Sequence, residues 1–234
     1  MISKKKQLSV IIPCFNEELH IIKTSNEITK ALKKAQIFLY EIIFINDCST
    51  DNTEKVIKDI IKKNNNHKLI NNTKNLGLGA SVLKGFKNSN SHYCTYVPGD
   101  NSHPYDGLYM IYKHIHFKSK MLIIPYVVDK SSRNFLRIIL SNCYTLFINL
   151  LFKLKIPYYN SLAVYPTDQV NKLNIISKGF SFQSEIIIRL LKNKIRYKCV
   201  KTILKENKDF FSSALYFKNL KSVIYSIISL RTKI

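Results

Sequence analysis

Acidic side chains are scarce in this chain: 15 Asp and Glu stand against 37 Lys and Arg, a formal net charge of +22 over 234 residues. So basic a protein would attract anionic partners such as nucleic acid, a membrane surface or phosphorylated substrates. The basic residues are scattered, though, and no long basic tail extends beyond Lys4-Lys5-Lys6, so nucleic acid would be a partner on charge alone and is not expected. The cysteines do not form a framework either. Cys14, Cys48, Cys94, Cys143 and Cys199 are odd in number and lack metal-site spacing, which fits free thiols acting as small apolar residues in a reducing compartment. The long apolar stretch of a signal peptide is missing at the N-terminus, where a strand follows the lysines almost at once. Phe135 to Leu154 is the nearest approach to a membrane span, but Arg137, Ser141, Asn142, Thr145, Asn149 and Lys153 interrupt it. With no internal repeat and no low-complexity linker, residues 1–234 read as a single domain, and 46% hydrophobic content suffices for a core without staples.

What is present is an alternation of short apolar runs with helical patterns. Strands are expected at Leu8–Ile12, Ile42–Ile45, Lys68–Ile70 and Tyr93–Val97. Helices are expected from about Glu17 to Ala35, from near Asp51, and from a Gly-containing turn at Leu76–Gly79 toward Phe86. The second half is richer in helix. It shows a helix from Pro104, strand Met121–Val127, a long helix from Ser132, strand-like Leu162–Tyr165, helix Phe182–Leu191, strand Tyr197–Val200 and an amphipathic tail helix Leu215–Leu230. The pattern predicts an α/β protein with a parallel to mixed central sheet flanked by helices.

The few carboxylates concentrate where strands end, which is where open α/β sheets bind ligands. Asn16 and Glu17 follow the first strand; Asp47 and Asp51 follow the second. Asp47 could accept hydrogen bonds from a nucleobase N–H or a ribose hydroxyl, or it could be a turn residue, although Ser49, Thr50 and Asp51 already supply caps. Glu17 could equally be a charge at the positive end of a helix dipole. The run Asn75-Leu76-Gly77-Leu78-Gly79-Ala80 is neither a Walker loop nor a dinucleotide fingerprint. Its glycines would allow close approach to a phosphate, or simply a tight turn. Asp100 ends a strand after Pro98-Gly99, and one carboxylate can suffice for Mg²⁺ when substrate phosphates complete the shell. Glu185 opens an apolar helix, as a ligand-facing group or as a dipole partner.

Together these segments resemble the family 2 inverting glycosyltransferases of the GT-A fold. "VIIPCFNEE" and "IFINDCSTDNT" look like that family's nucleotide-binding junctions, "NLGLGASVLKGF" like its third motif, and "PGDNSHP" occupies the place of its Asp-x-Asp. "GFSFQSEIIIRLLKNKIRYKCV" is similar to the acceptor-side helix and strand, and its Gly-Phe-x-Phe-Gln-x-Glu pattern brings the dolichyl- and polyprenyl-phosphate sugar transferases nearest. The resemblance implies a nucleotide-binding half at about 1–103 and an acceptor half at about 104–234. It implies that Pro13, Phe15, Asn16, Glu17, Ile45, Asp47, Asn75 and Gly79 hold the nucleotide, with Gly99 and Asp100 beside the diphosphate. Asp100 and Ser102 would face Mg²⁺ or Mn²⁺, and Gln183 and Glu185 the sugar or acceptor, with Glu185 and Asp100 as catalytic groups.

Three positions depart from the pattern. Pro98 stands where the first Asp of Asp-x-Asp is expected; Tyr126 lies near an expected Arg; Ser213-Ala214-Leu215 replaces Ser-Lys-Leu, with Lys205 or Lys208 as substitutes. The implied activity is transfer of a hexose from a GDP- or UDP-sugar to a polyprenyl phosphate with inversion, in cell-envelope glycan synthesis. The alternatives are a sugar hydroxyl in a polysaccharide or glycolipid as acceptor, or a catalytically degenerate scaffold subunit. A cytoplasmic location is implied, peripheral on the cytoplasmic face of the membrane. Helices Ser132–Leu154 and Leu215–Leu230 would meet a membrane surface or a membrane-protein partner, or pack on the core or in a homo-oligomer.

Overall fold

The computed structural model describes residues 6–128, 135–177, 179, 181–204 and 226–232. The first half is built as anticipated: β1 (Lys6–Cys14), α1 (Ile21–Lys34), β2 (Tyr40–Asn46), α2 (Thr53–Lys62), β3 (His67–Asn71), α3 (Leu78–Lys87) and β4 (Ser91–Tyr96). Then follow α4 (Tyr105–Tyr112), β5 (Leu122–Val127), α5 (Phe135–Phe152), β6 (Tyr165–Pro166), α6 (Thr167–Val170), α7 (Phe182–Lys192) and β7 (Tyr197–Thr202).

The main sheet runs β3-β2-β1-β4-β6, parallel except for β6. Central β1 is covered on both faces, so Leu8, Val10, Ile11 and Ile12 are all apolar and fully buried, as a parallel strand between helix layers requires. α3 lies flush on it only because Gly85 has no side chain; a Cβ there would come within 2.5 Å of Ile11 Cγ2. β5 and β7 form a second, parallel ladder, joined to the main sheet by the Ile123–Val164 bridge. The architecture is GT-A-like: a mostly parallel mixed sheet with helices on its faces.

Parallel pairing brings the ends of β1, β2, β3 and β4 to one edge, so Cys14, Asn46, Asn71 and Tyr96 share a rim. Two helices start later than their sequence pattern suggests, and the rim explains both. The amides of Asn16, Glu17 and Glu18 donate to Ser49 Oγ, Thr53 Oγ1 and Asp51 Oδ2, and the Asn52 amide donates to Glu18 Oε2. Residues expected to cap α2 or open α1 tie the two junctions together, with Asp51 also accepting from the Thr53 amide at the start of α2, and α1 begins at Ile21 and α2 at Thr53. Of the expected tail helix Leu215–Leu230, only 226–230 lies among the described residues, as helix that runs on to 231; Ile227 and Leu230 are buried there. Lys205, Lys208 and Ser213-Ala214-Leu215 lie outside them.

Candidate active site at the sheet rim

The rim gathers most of the predicted residues on four loops. Asn16, in the left-handed region at φ 58°, accepts hydrogen bonds from the Thr50 amide and hydroxyl at its Oδ1, which locks loop 15–20 against loop 47–52. Phe15 is left exposed at the mouth. Pro13 contributes its carbonyl, which accepts from the Gly99 amide at 3.2 Å and draws loop 97–102 alongside. The Thr24 hydroxyl donates to the Gly99 carbonyl at 2.8 Å from the other side.

Glycine at position 99 suits this closeness, since a Cβ there would sit 3.2 Å from Glu17 Cγ and 3.3 Å from the Pro13 carbonyl oxygen. Glu17 and Asp100 thereby share one pocket of the mouth. Burial first, and then the negative charges of Asp100 and Asp51, push the Glu17 carboxyl up to about 7. Glu41, by contrast, is paired with Lys6 and Lys68, and Glu185 with Arg189. Asp100 accepts at Oδ1 from the Ser102 amide (3.0 Å) and hydroxyl (2.7 Å), which turns its carboxylate within the loop. Ser102 is thus beside Asp100 as expected; its hydroxyl donates its proton to that carboxylate and keeps its oxygen lone pairs free. Among the described residues no group of three or more His, Cys, Asp or Glu could hold an ion unaided.

Several expectations are corrected. Ile45, expected to touch the nucleotide, is fully buried, because its side chain points into the core from a strand covered on both faces. Asp47 is not open to a base. Its Oδ1 accepts from Asn72 Nδ2 (2.7 Å) and the Leu76 amide (2.9 Å), and its Oδ2 from the Gly77 amide (2.8 Å). The Leu76 and Gly77 amides are thus held by Asp47, the arrangement of a tight turn before a helix, one of the two that this glycine run allows. Asn75 closes the same turn by accepting from the Gly77 amide at 3.1 Å, Gly77 supplies the positive φ of +81°, and Gly79 is buried in the first turn of α3. Asp47 therefore shapes the loop that borders the site.

On the acceptor side, Gln183 and Glu185 diverge. Gln183 Nε2 bonds to the Tyr96 hydroxyl at the end of β4, while its Oε1 is buried without a protein donor. Such an acceptor is available to a ligand hydroxyl. Glu185, only 1% exposed, accepts from the amides of Ile176 (3.1 Å) and Ser177 (2.8 Å) and pairs with Arg189 Nε at 2.8 Å. Burial alone would raise its carboxyl, but the bonds from Ser177, Ile176 and Arg189 bring it below the ordinary range. Its bonds hold loop 176–177, and a carboxylate so saturated and acidified is a poor general base.

Sequence reasoning missed Tyr96 and Asn72. Asn72 is a buried node that donates to Asp47 and Ser81 and accepts from Lys84 Nζ at 2.7 Å. The only signal for it was its place as the first residue after β3, matching Asp47 after β2.

Known proteins match this arrangement. The chain is 36% identical over 101 residues to a dolichyl-phosphate beta-glucosyltransferase of Dictyostelium discoideum, covering 41% of this chain and 31% of that protein. It is 26% identical over 110 residues to the dolichol-phosphate mannosyltransferase of Saccharomyces cerevisiae, covering 47% and 41%. The match thus spans less than half the length of either relative. In fold it is similar to glucosyl-3-phosphoglycerate synthase of Mycobacterium tuberculosis, solved with Mn²⁺, UDP-glucose and phosphoglyceric acid. That similarity has a TM-score of 0.70 and 14% identity, over 97% of this chain and 80% of the other. The family model described as "Glycosyl transferase family 2" matches residues 9–169, which takes in β1 through β6 and every loop of the rim, and the chain belongs to that family.

Proposed function

We propose that the protein transfers a hexose from a nucleotide diphosphate sugar, GDP- or UDP-linked, to a polyprenyl phosphate with inversion at the anomeric carbon. The acceptor oxygen attacks that carbon opposite the diphosphate, the bond to the diphosphate oxygen breaks, and the nucleoside diphosphate leaves. The observation that carries the acceptor class is the saturation of Glu185. A sugar hydroxyl needs a base to take its proton, whereas a phosphate monoester, with a second pKa of about 6, is already anionic near neutrality.

The donor side rests on Glu17 and Asp100. Two carboxylates crowded enough to raise one of them to about 7 suit Mg²⁺ or Mn²⁺, with the donor's diphosphate completing a shell that the protein alone leaves short. Bound there, the ion would neutralise charge on the departing diphosphate. Asp100 would hold it, oriented by Ser102, with Glu17 alongside; Asn16 and Asp47 would keep the bordering loops in place, Phe15 would flank the nucleotide, and Gln183 Oε1 would accept from a sugar hydroxyl. The free thiols fit a cytoplasmic location, and a lipid-borne acceptor places the protein at the cytoplasmic face of a membrane.

The test is transfer from radiolabelled GDP- and UDP-sugars to polyprenyl phosphate and to oligosaccharide acceptors, with the product anomer read by NMR. Lipid-phosphate product of inverted configuration is expected. Product on the oligosaccharide alone would overturn the acceptor assignment, and neither hydrolysis nor transfer with any donor would leave a scaffold subunit.

A further inference from the structure

A buried tyrosine and a buried glutamine at the mouth hold between them one hydrogen-bond donor and one acceptor that the described residues leave unused. Tyr96, the last residue of β4, is 4% exposed, and Gln183, in the first turn of α7, is 6% exposed. Gln183 Nε2 donates to the Tyr96 hydroxyl oxygen, so the phenol proton must go elsewhere, and among the described residues no group accepts it. Gln183 Oε1 in turn receives no proton from the protein. Tyr93, on the same strand, is satisfied within the fold: its hydroxyl accepts from the Met121 amide at 2.9 Å and donates to the His116 carbonyl at 3.3 Å. Tyr112, Ser161 and Tyr165 also carry buried hydroxyls without a partner, but a single hydroxyl names no ligand. A donor and an acceptor on two bonded side chains do.

The surroundings hold this pair in one state and one place. Burial first, and then Tyr158 and Asp100, push the Tyr96 phenol well above its ordinary range, so the hydroxyl keeps its proton and remains a donor. The same effect marks Asp100 as a near neighbour. The Phe182 ring packs on the Tyr96 ring with 5.8 Å between centroids, which fixes the direction of the phenol. The Tyr96–Gln183 bond thus joins the strand that leads into the Asp100 loop to the helix on the acceptor side. In an inverting displacement the sugar lies between the departing diphosphate and the incoming oxygen, and on the proposed reading of the site that is the space between these two elements.

We infer that Tyr96 and Gln183 together read one hydroxyl of the transferred hexose, with the Tyr96 phenol donating to its oxygen and Gln183 Oε1 accepting its proton. Tyr96 is on this basis a specificity-determining residue, a role that rests on the proposed hexose transfer. A hydroxyl is the sugar substituent that accepts and donates at one atom. A deoxy carbon does neither, and the N–H and C=O of a trans acetamide point in opposite directions. A phosphate oxygen without a proton would set its charge against Gln183 Oε1. Gln183 therefore belongs to the donor sugar rather than to the lipid phosphate. A buried pair of this kind rejects an analogue lacking the hydroxyl more strongly than an apolar pocket rejects a missing methylene, because a donor and an acceptor are both left unpaired.

The experiment is a donor-analogue cycle by titration calorimetry in Mg²⁺ buffer. UDP-glucose and GDP-mannose, whichever binds more tightly, and its 2-, 3-, 4- and 6-deoxy forms are titrated into wild type, Tyr96→Phe and Gln183→Met. Free UDP and GDP should bind all three proteins alike. At one ring position, removal of the hydroxyl should weaken donor binding to wild type by ~10-fold or more, yet weaken binding to Tyr96→Phe by less than ~3-fold. Gln183→Met should single out the same position, so either variant decides the matter where the other folds poorly. Equal penalties in wild type and variants at every position, which a merely structural Tyr96 would give, overturn the inference. So does weakened binding of free UDP or GDP in both variants, which would assign the pair to the nucleotide. A shared ring position found without transfer from that donor to any acceptor would leave the sugar reading standing and sink the proposed function instead.

Discussion

The two edges of the main sheet each bury glutamate, and they treat it in opposite ways. At the base, Glu41 at the start of β2 is fully buried and saturated. It accepts from Ser9 Oγ at 2.6 Å and the Asn90 amide at 3.0 Å, and pairs with Lys6 and Lys68 at 3.0 and 2.9 Å. Burial would raise its carboxyl, but those four partners outweigh it and hold the group at about 2. At the rim, Glu17 is partly buried beside Asp100 and Asp51, and its carboxyl stands at about 7. A carboxylate whose partners are all supplied by the fold is part of the fold. One whose neighbours are other carboxylates is waiting for charge from outside.

The comparison can be broken most directly at the base. Glu41→Ala takes the acceptor from the Ser9 hydroxyl and the Asn90 amide and the counter-charge from two partly exposed lysines, and breaking a buried charged network from one side costs about 3–5 kcal/mol. Urea unfolding at pH 7 should show a loss of that size; a loss under about 1 kcal/mol would mean the network contributes little. At the rim, Asp100→Asn should reduce transfer by ~10²–10³-fold, the usual cost of losing one electrostatic contact to developing charge. It should leave the melt nearly unchanged. Full activity in Asp100→Asn, or in excess chelator, would remove the metal from the proposal.

Acid titration sharpens the contrast. Glu41 is depressed from an ordinary 4.5 to about 2, so its contribution is present above 4.5 and fades as pH falls toward 2, worth roughly 3 kcal/mol in all. Glu17 is raised from 4.5 to about 7, so the folded protein holds its proton more tightly than the unfolded chain. Stability from that group is present below 4.5 and lost as pH rises through 7. Glu17→Gln should therefore be more stable than wild type at pH 8 by ~1–2 kcal/mol after allowance for solvent screening, and equal to it at pH 4. Chemical denaturation at the two pH values measures the difference. The smallest effect concerns Cys48, held at φ 63° in the second junction, where glycine carries no steric penalty. Cys48→Gly should be neutral to stabilising by about 1 kcal/mol in the same assay.

Much of this was legible in residue order. Short runs of five and four residues at Leu8–Ile12 and Ile42–Ile45, apolar but for Ser9, read as buried parallel strands because covering both faces leaves no regular polar alternation. The rim was legible because ligand loops of a parallel sheet must follow strand ends, which located Glu17, Asp47 and Asp100 before any contact was known. The roles were another matter. Asp47 and Glu185 carry the same acidic signal as Asp100, yet one holds a neighbouring turn and the other its own loop.

The sequence by itself determined which segments are strands and helices, where the loops that bear carboxylates must emerge, and the family to which the chain belongs, because periodicity and motif order are local properties of the chain. Only the tertiary structure decided which carboxylates are satisfied and which face of α5 looks outward. At the rim the hydrogen-bond partners lie 25 and 36 residues apart, as for Asn72 with Asp47 and Thr53 with the Glu17 amide. The outward face of a helix that is apolar nearly all round is set by which few polar side chains, here Tyr144 and Asn149, find partners inside.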